Sequence, residues 1–211
     1  EYFGDGTDFG VRLQFSREEE ILGTAGGLKK AQSFLEKETF LLLNSDVLAD
    51  INFDSVLKFH KEKNSCLTLV VRQDDEPEKY RPIHLADDCR INRFVDSTIK
   101  HPTTNIQRVM FTGIQIMEPE IFSRIPANKF CGTTEDIFPT MIEKGLPVYG
   151  HLHEKYWIDM GTRETYIQAQ TDALEGRLVL KTSPSRNPEG PLVVPPVHIG
   201  RDCEISNDAQ V

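Results

Sequence analysis

The sequence predicts an α/β fold: a mostly parallel sheet with helices between its strands, followed by the start of a parallel β-helix. Three observations predict it. Phe40-Leu41-Leu42-Leu43 places four large apolar residues between a helix-like segment and a turn, as expected for a strand buried on both faces of a parallel sheet. Strand-like and helix-like stretches then alternate as far as Glu175. Beyond the linker, Val193, Ile199, Ile205 and Val211 recur at a period of six, with Val197, Cys203 and Ala209 two positions earlier. That repeat is the signature of a hexapeptide β-helix, of which about one coil is present.

Composition narrows the class. With 211 residues, 38% hydrophobic and 27% charged, the chain can bury a core and suits one domain with a small annex. A net charge of −9 argues against non-specific nucleic-acid binding, although it leaves room for a local basic pocket. Cys66, Cys89, Cys131 and Cys203 form no C-x-x-C pair and have no histidine at zinc spacing, so reduced thiols in a cytoplasmic protein are expected. No apolar run is long enough to span a bilayer, and no partner membrane is expected.

The elements follow in order. The first ten residues form a turn-rich loop, and the alternation in Val11-Arg12-Leu13-Gln14-Phe15-Ser16 predicts a strand. Glycines then surround Thr24, a candidate N-cap for a helix running from Lys29 to Glu38. Such a terminus offers N–H groups to an anion, or is simply a tight turn. Residues 52–63 carry helical apolar spacing, and Cys66 to Val71 form a β-branched buried strand, giving a crossover unit with the Phe40 strand. Arg72 to Lys100 reads as an antiparallel excursion with its turn at Asp87-Asp88.

Val109 to Met117 is the next core strand, interrupted by Gly113, which marks either a close approach or a bulge. Thr133-Thr134-Glu135-Asp136 opens a helix that stops at Gly145. A short strand over 146–153 follows, and its His151 and His153 read as surface residues in the absence of a further ligand. Tyr156-Trp157-Ile158-Asp159 then leads through a turn into a helix over 163–175. Residues 1–182 are thus assigned to the main domain, 183–196 to a linker rich in Pro, and 197–211 to the β-helix coil.

Two acids occupy equivalent places. Asn44, Ser45 and Asp46 end the first buried strand, and Asp159 ends the aromatic one. Carboxyl ends of strands gather ligands in α/β folds. Mg²⁺ takes one or two protein carboxylates there and completes its shell with substrate phosphates. Asp46 and Asp159 are the candidate ligands; turn-forming or helix-capping acids are the plain alternative.

Five stretches in order carry a resemblance: Leu22-Gly23-Thr24-Ala25-Gly26, Leu43-Asn44-Ser45-Asp46-Val47, Thr112-Gly113-Ile114, Asp136-Ile137-Phe138-Pro139 and Tyr156-Trp157-Ile158-Asp159-Met160-Gly161-Thr162. Together they resemble the sugar-phosphate nucleotidyltransferases, or NDP-sugar pyrophosphorylases, most nearly those of the mannose-1-phosphate guanylyltransferase type. The resemblance implies a Rossmann-like catalytic domain followed by a left-handed β-helix. It implies a reaction joining a nucleoside triphosphate to a sugar 1-phosphate, with GTP and mannose 1-phosphate favoured over glucose 1-phosphate. It further implies catalytic and Mg²⁺-binding roles for Asp46 and Asp159, nucleotide contacts from Glu18, Leu22, Gly23 and Thr24, and sugar contacts from Gly113 and Glu135. Glu18 stands where the family reads the base edge, and a carboxylate, which only accepts, suits the N–H donors of guanine.

Departures from the pattern accompany the match. The family's G-x-G-T-R-x-x-P signature does not occur, and its E-K-P motif is replaced by Val95-Asp96-Ser97-Thr98. The sugar-holding glutamate gives way to Thr133-Thr134, with Glu135 displaced. The 211-residue chain alone is therefore expected to be inactive, as the C-terminal portion of such a catalytic domain. Two rivals stand beside this reading: a regulatory homologue that binds a nucleotide sugar without catalysis, and an unrelated glycosyltransferase. A β-helix often mediates assembly, so a homo-oligomer is left open.

Overall fold

The computed structural model describes residues 2–73, 79–94 and 107–178. The linker, the hexapeptide coil, Cys203 and the Val95-Asp96-Ser97-Thr98 stretch lie outside the described residues. The helices are α1 (Gly23–Lys30), α2 (Gln32–Leu35), α3 (Phe53–Glu62), α4 (Phe138–Glu143) and α5 (Arg163–Leu174). The strands are β1 (Phe40–Leu43), β2 (Val47–Ala49), β3 (Leu67–Gln73), β4 (Pro82–Leu85), β5 (Ile91–Phe94), β6 (Gln107–Met117), β7 (Val148–Leu152) and β8 (Trp157–Asp159). They fall into two compact units, one of residues 1–42 and 54–152, the other of 43–53 and 153–211.

The first unit is built on a sheet of order β5-β4-β6-β3-β7, to which β1 adds by pairing with β6. The β3–β7 contact is parallel, whereas β3–β6, β4–β6 and β4–β5 are antiparallel. Among the described residues the β3–β7 contact thus supplies a parallel pairing beside the antiparallel ones of the excursion. The β4–β5 excursion delivers β6 to the sheet in the antiparallel sense, between β4 and β3. The expected turn at Asp87-Asp88 is present: the Ala86 N–H donates to the Arg90 carbonyl at 2.9 Å, and Cys89 takes φ +69°.

The β-branched run in β3 is buried from Leu67 to Val71, as its composition predicts. β1 departs from expectation. Of its four residues only Phe40 is buried, while Leu41 and Leu43 are exposed, so it is not covered on both faces. Phe40 stacks on Phe122 with ring centroids 5.5 Å apart. The core centres on Phe138, which is fully buried, stacks on Phe94 and meets Phe111 edge-on. α4 carries Phe138 into this core after a π-helical turn over Thr133–Ile137, and it ends at Gly145 with φ +71°.

Three local expectations are corrected. Val11 to Ser16 forms no strand; its apolar residues Val11 and Phe15 are exposed and no strand pairs with it among the described residues. The helix expected over Lys29–Glu38 starts earlier, at Gly23, and is broken at Ala31 into α1 and α2. The N-cap is Leu22 and not Thr24, which lies in the first turn of α1.

A buried polar network joins α3 to the sheet. His60, 1% exposed, hydrogen-bonds through Nδ1 to Thr68 Oγ1 at 2.8 Å and through Nε2 to Glu118 Oε1 at 3.1 Å. Thr39 Oγ1 donates to the same Glu118 oxygen at 2.7 Å. Burial pulls the His60 imidazole below its ordinary value, against the opposing pull of the Glu118 hydrogen bond and charge. An imidazole whose folded pKa is depressed binds its proton more readily in the unfolded chain. Its contribution to stability is thus complete above the ordinary value of 6.5 and is lost as the pH falls through the lowered one. Thermal melts should drop between pH 7 and pH 5. A His60→Gln variant should melt lower at neutral pH but show a flatter profile over that interval; an unchanged slope would show that another group controls it.

Candidate functional site

In the second unit β2 and β8 form an antiparallel ribbon, pairing Val47 with Asp159, Leu48 with Ile158 and Ala49 with Trp157. Backbone hydrogen bonds close both its ends. The Asp50 N–H donates to the Tyr156 carbonyl at 3.0 Å, and the Met160 N–H donates to the Asp46 carbonyl at 2.7 Å. Asp46 and Asp159, 113 positions apart by subtraction of their numbers, are thereby brought to the same end of one ribbon. Asp46 is exposed and its carboxylate makes no hydrogen bond or ion pair among the described residues; Asp159 is half-buried. Asp159 Oδ1 accepts from the Gly161 N–H at 2.8 Å, and a Cβ on Gly161 would stand 2.9 Å from that oxygen. A glycine at that position is what allows the carboxylate to fold against its own turn.

The ribbon is braced by α5. Thr162 caps the helix by accepting from the Thr165 N–H at 3.1 Å, while Thr165 Oγ1 accepts from the Thr162 N–H at 3.2 Å. Asp172, 7% exposed, takes hydrogen bonds from the Tyr156 hydroxyl at 2.7 Å, from Gln168 at 2.6 Å and from both Nε and Nη2 of Arg177. Burial alone would raise the Asp172 pKa, but these donors hold it below the ordinary value. Burial, together with Asp172, pushes the Tyr156 phenol up to about 12. This cluster escaped the sequence reading. Its one sequence signal is an acid at 172 followed five residues later by an arginine, a weak pattern without the Tyr156 partner.

In the first unit the glycine-rich start of α1 is filled by protein. The Cys131 carbonyl accepts from the N–H groups of Ala25 at 2.9 Å and Gly26 at 3.1 Å, and the Cys131 N–H donates to the Leu22 carbonyl at 2.8 Å. Gly23 has φ +73°, and a Cβ there would stand 2.7 Å from the Cys131 carbonyl oxygen; one on Gly26 would stand 2.7 Å from that of Lys129. The Ala25 and Gly26 N–H groups thus already have an acceptor within the protein. Glu18 is also engaged: Oε2 accepts from the Leu22 N–H at 2.9 Å, and a Cβ on Gly27 would overlap its carboxylate. Thr24 stays exposed.

Gly113 lies inside an unbroken β6 with φ +81°. The register passes from Leu69 opposite Gln115 to Val71 opposite Phe111, so β6 bulges around Gly113, and Thr112 Oγ1 donates to the Val70 carbonyl at 2.8 Å. Glu135 is exposed on the π-helical turn, accepting from Thr134 Oγ1 at 2.8 Å. Its neighbour Asp136 accepts the Gly132 N–H through Oδ2 at 2.7 Å. Among the described residues no group of three or more His, Cys, Asp or Glu could hold a metal ion. No helix among them is long and apolar enough to cross a membrane.

The family of nucleotidyl transferases matches residues 1–176, and the chain belongs to that family. A zebrafish (Danio rerio) mannose-1-phosphate guanylyltransferase catalytic subunit beta is 33% identical over 92% of this chain and 54% of its own length. The mannose-1-phosphate guanylyltransferase of Mycobacterium tuberculosis is 28% identical over 82% of this chain and 48% of its own. A UTP–glucose-1-phosphate uridylyltransferase of Synechocystis is 32% identical over 80% of this chain and 46% of its own. The chain thus spans about half the length of the curated relatives it matches. In fold it is similar to a Bacillus anthracis protein assigned as a glucose-1-phosphate thymidylyltransferase and solved with a sucrose, with TM-score 0.69, 18% identity and 86% of this chain and 72% of that one covered. It is also similar to HddC from Yersinia pseudotuberculosis, with TM-score 0.58, 22% identity and 72% and 63% covered.

The seat of α1 generates a direct test. Gly23→Ala forces a Cβ onto the Cys131 carbonyl at a left-handed φ and should destabilise the chain by about 1–3 kcal/mol in denaturant unfolding. A variant as stable as the parent would return these glycines to a purely ligand-facing role.

Proposed function

We propose that a protein containing this chain transfers a nucleotidyl group from a nucleoside triphosphate to a sugar 1-phosphate in the cytoplasm, giving an NDP-sugar and pyrophosphate. GTP with mannose 1-phosphate is the favoured pair, supported by the guanylyltransferase relatives; glucose 1-phosphate is the next choice, supported by the uridylyltransferase. One observation carries the reading: Asp46 and Asp159 share one end of the β2–β8 ribbon, fixed by the Met160–Asp46 backbone hydrogen bond.

The donor set fits Mg²⁺. Two carboxylates, one exposed and one anchored by a single oxygen, match an ion that takes few protein ligands and keeps its remaining positions for water and phosphate oxygens. Asp46 and Asp159 would hold it, and bound there it would supply neutralisation of phosphate charge. The protein's own part is placement. Gly161 orients the Asp159 carboxylate, and the Asp172 cluster anchors Tyr156 beside the strand that carries it. Gly113 and Glu135 are assigned to the sugar, and Glu18 with Leu22, Gly23 and Thr24 to the nucleotide. In the attack of the sugar phosphate oxygen on the α-phosphorus, a site that holds both partners in line supplies much of the rate.

A specific observation favours a second reading, a regulatory homologue that binds a nucleotide sugar without turnover. The Glu18 carboxylate and the N–H groups of Ala25 and Gly26 already have partners within the protein. Pyrophosphate release separates the two. A longer protein containing this chain should be active with Mg²⁺, and Asp46→Asn should lower kcat at least about a hundredfold while nucleotide-sugar affinity falls far less. The 211-residue chain alone should release none. Equal turnover by parent and variant would sink the catalytic reading, and activity in the isolated chain would sink its stated inactivity.

A further inference from the structure

The first unit contains a cavity of about 710 Å³ between the 3-10 segment Pro119–Arg124, the residues before the π-helical turn, and α4. That volume lies within the range of small-molecule pockets. None of Asp46, Asp159, Glu18, Gly23, Gly113 or Glu135 lines it.

The chemistry of its wall is specific. Arg124 lines it, and the Nε–H of Arg124 is buried with no hydrogen-bond partner among the described residues. That Nε has almost no accessible surface, so what Arg124 offers the cavity is the cation of the side chain that lines it, and a guanidinium can only donate. Lys144, which follows the last turn of α4, adds a second cation to the lining. The remaining polar groups have the opposite need. Ser123 Oγ already donates to the Glu120 carbonyl at 2.7 Å and Thr140 Oγ1 to that of Ile137 at 2.8 Å, so both hydroxyls retain only acceptor capacity. Asp136 and Glu143 are acceptors as carboxylates, and no ion pair joins either to Arg124 or Lys144 among the described residues. Phe130, 72% exposed, adds an aromatic surface.

Two cations seeking an oxyanion, four acceptors seeking hydroxyl donors and an exposed ring describe one class of ligand. We propose that this cavity binds a monosaccharide carrying an oxyanion, whose carboxylate or phosphate group meets Arg124 and Lys144 while its hydroxyls donate to Asp136, Glu143 and Thr140. The inference goes beyond nucleotidyl transfer and does not depend on it.

Isothermal titration and hydrogen–deuterium exchange on the 211-residue chain test it, with glucuronate and glucose 6-phosphate as charged probes and methyl glucoside as the neutral control. At least one charged probe should bind saturably and protect peptides spanning 123–144, and methyl glucoside should not. The probe that binds identifies the oxyanion. Arg124→Met should weaken binding at least about tenfold, as expected for a lost charge-assisted hydrogen bond. Should that variant fail to fold by circular dichroism, Lys144→Met, at the end of α4, should still weaken it measurably. Asp46→Asn should bind like the parent, which separates this site from the catalytic one. Dissociation constants above about 10 mM for both charged probes, equal binding of the neutral glucoside, or parent-like affinity in the folded Arg124 or Lys144 variant overturns the proposal.

Discussion

The hydrogen bond from the Met160 amide to the Asp46 carbonyl, 2.7 Å long, fixes where the chain can place its two strand-end acids. A three-residue ribbon has little stability of its own. Here it is closed at one end by this bond and at the other by the Asp50 amide on the Tyr156 carbonyl. Backbone pairing of this kind sets register, and a slip by one residue would reverse the faces of every side chain in the ribbon. The Asp172 cluster then holds Tyr156, the residue just before β8, from the side of α5. The anchoring group is thus an internal carboxylate kept ionised by a phenol, an amide and a guanidinium, while the candidate acids are left with few protein partners. Asp46 is positioned through its backbone, and Asp159 through its backbone and the Gly161 N–H on Oδ1.

The first unit shows the converse. In its glycine-rich turn the Cys131 carbonyl takes the N–H groups of Ala25 and Gly26, and Gly23 and Gly26 suit that turn because a Cβ on either would strike a backbone oxygen. Gly113 has a comparable explanation in the β6 bulge, where a left-handed residue absorbs the extra length opposite β3. Close approach of backbone to backbone and close approach of backbone to ligand leave the same mark in a sequence, which is why glycine alone could not separate them.

Legibility followed the range of the interactions. β3, β6, β7, α3, α4 and α5 lie where periodicity and capping residues place them, because the burial of a face is written in the spacing of its apolar residues. The exposed strand at Val11 to Ser16 failed to form because alternation describes one face only and says nothing about a partner. β1 was misjudged for a related reason: four apolar residues in a row record hydrophobicity, but coverage of both faces depends on neighbours elsewhere in the chain. The antiparallel pairings of β6 likewise depend on the path of the β4–β5 excursion, which no local pattern encodes.

By itself the sequence determined most of the elements, the α/β class, the family, and the identity of Asp46 and Asp159 as acids at the ends of strands. Those properties are carried by side-chain spacing and by short motifs. The tertiary structure alone decided that the two acids share one ribbon end, that the Cys131 carbonyl takes the Ala25 and Gly26 N–H groups of α1, and that Arg124 and Lys144 line one cavity. Each of these is a pairing between residues distant in the chain, and such pairings are selected by the geometry of the whole fold.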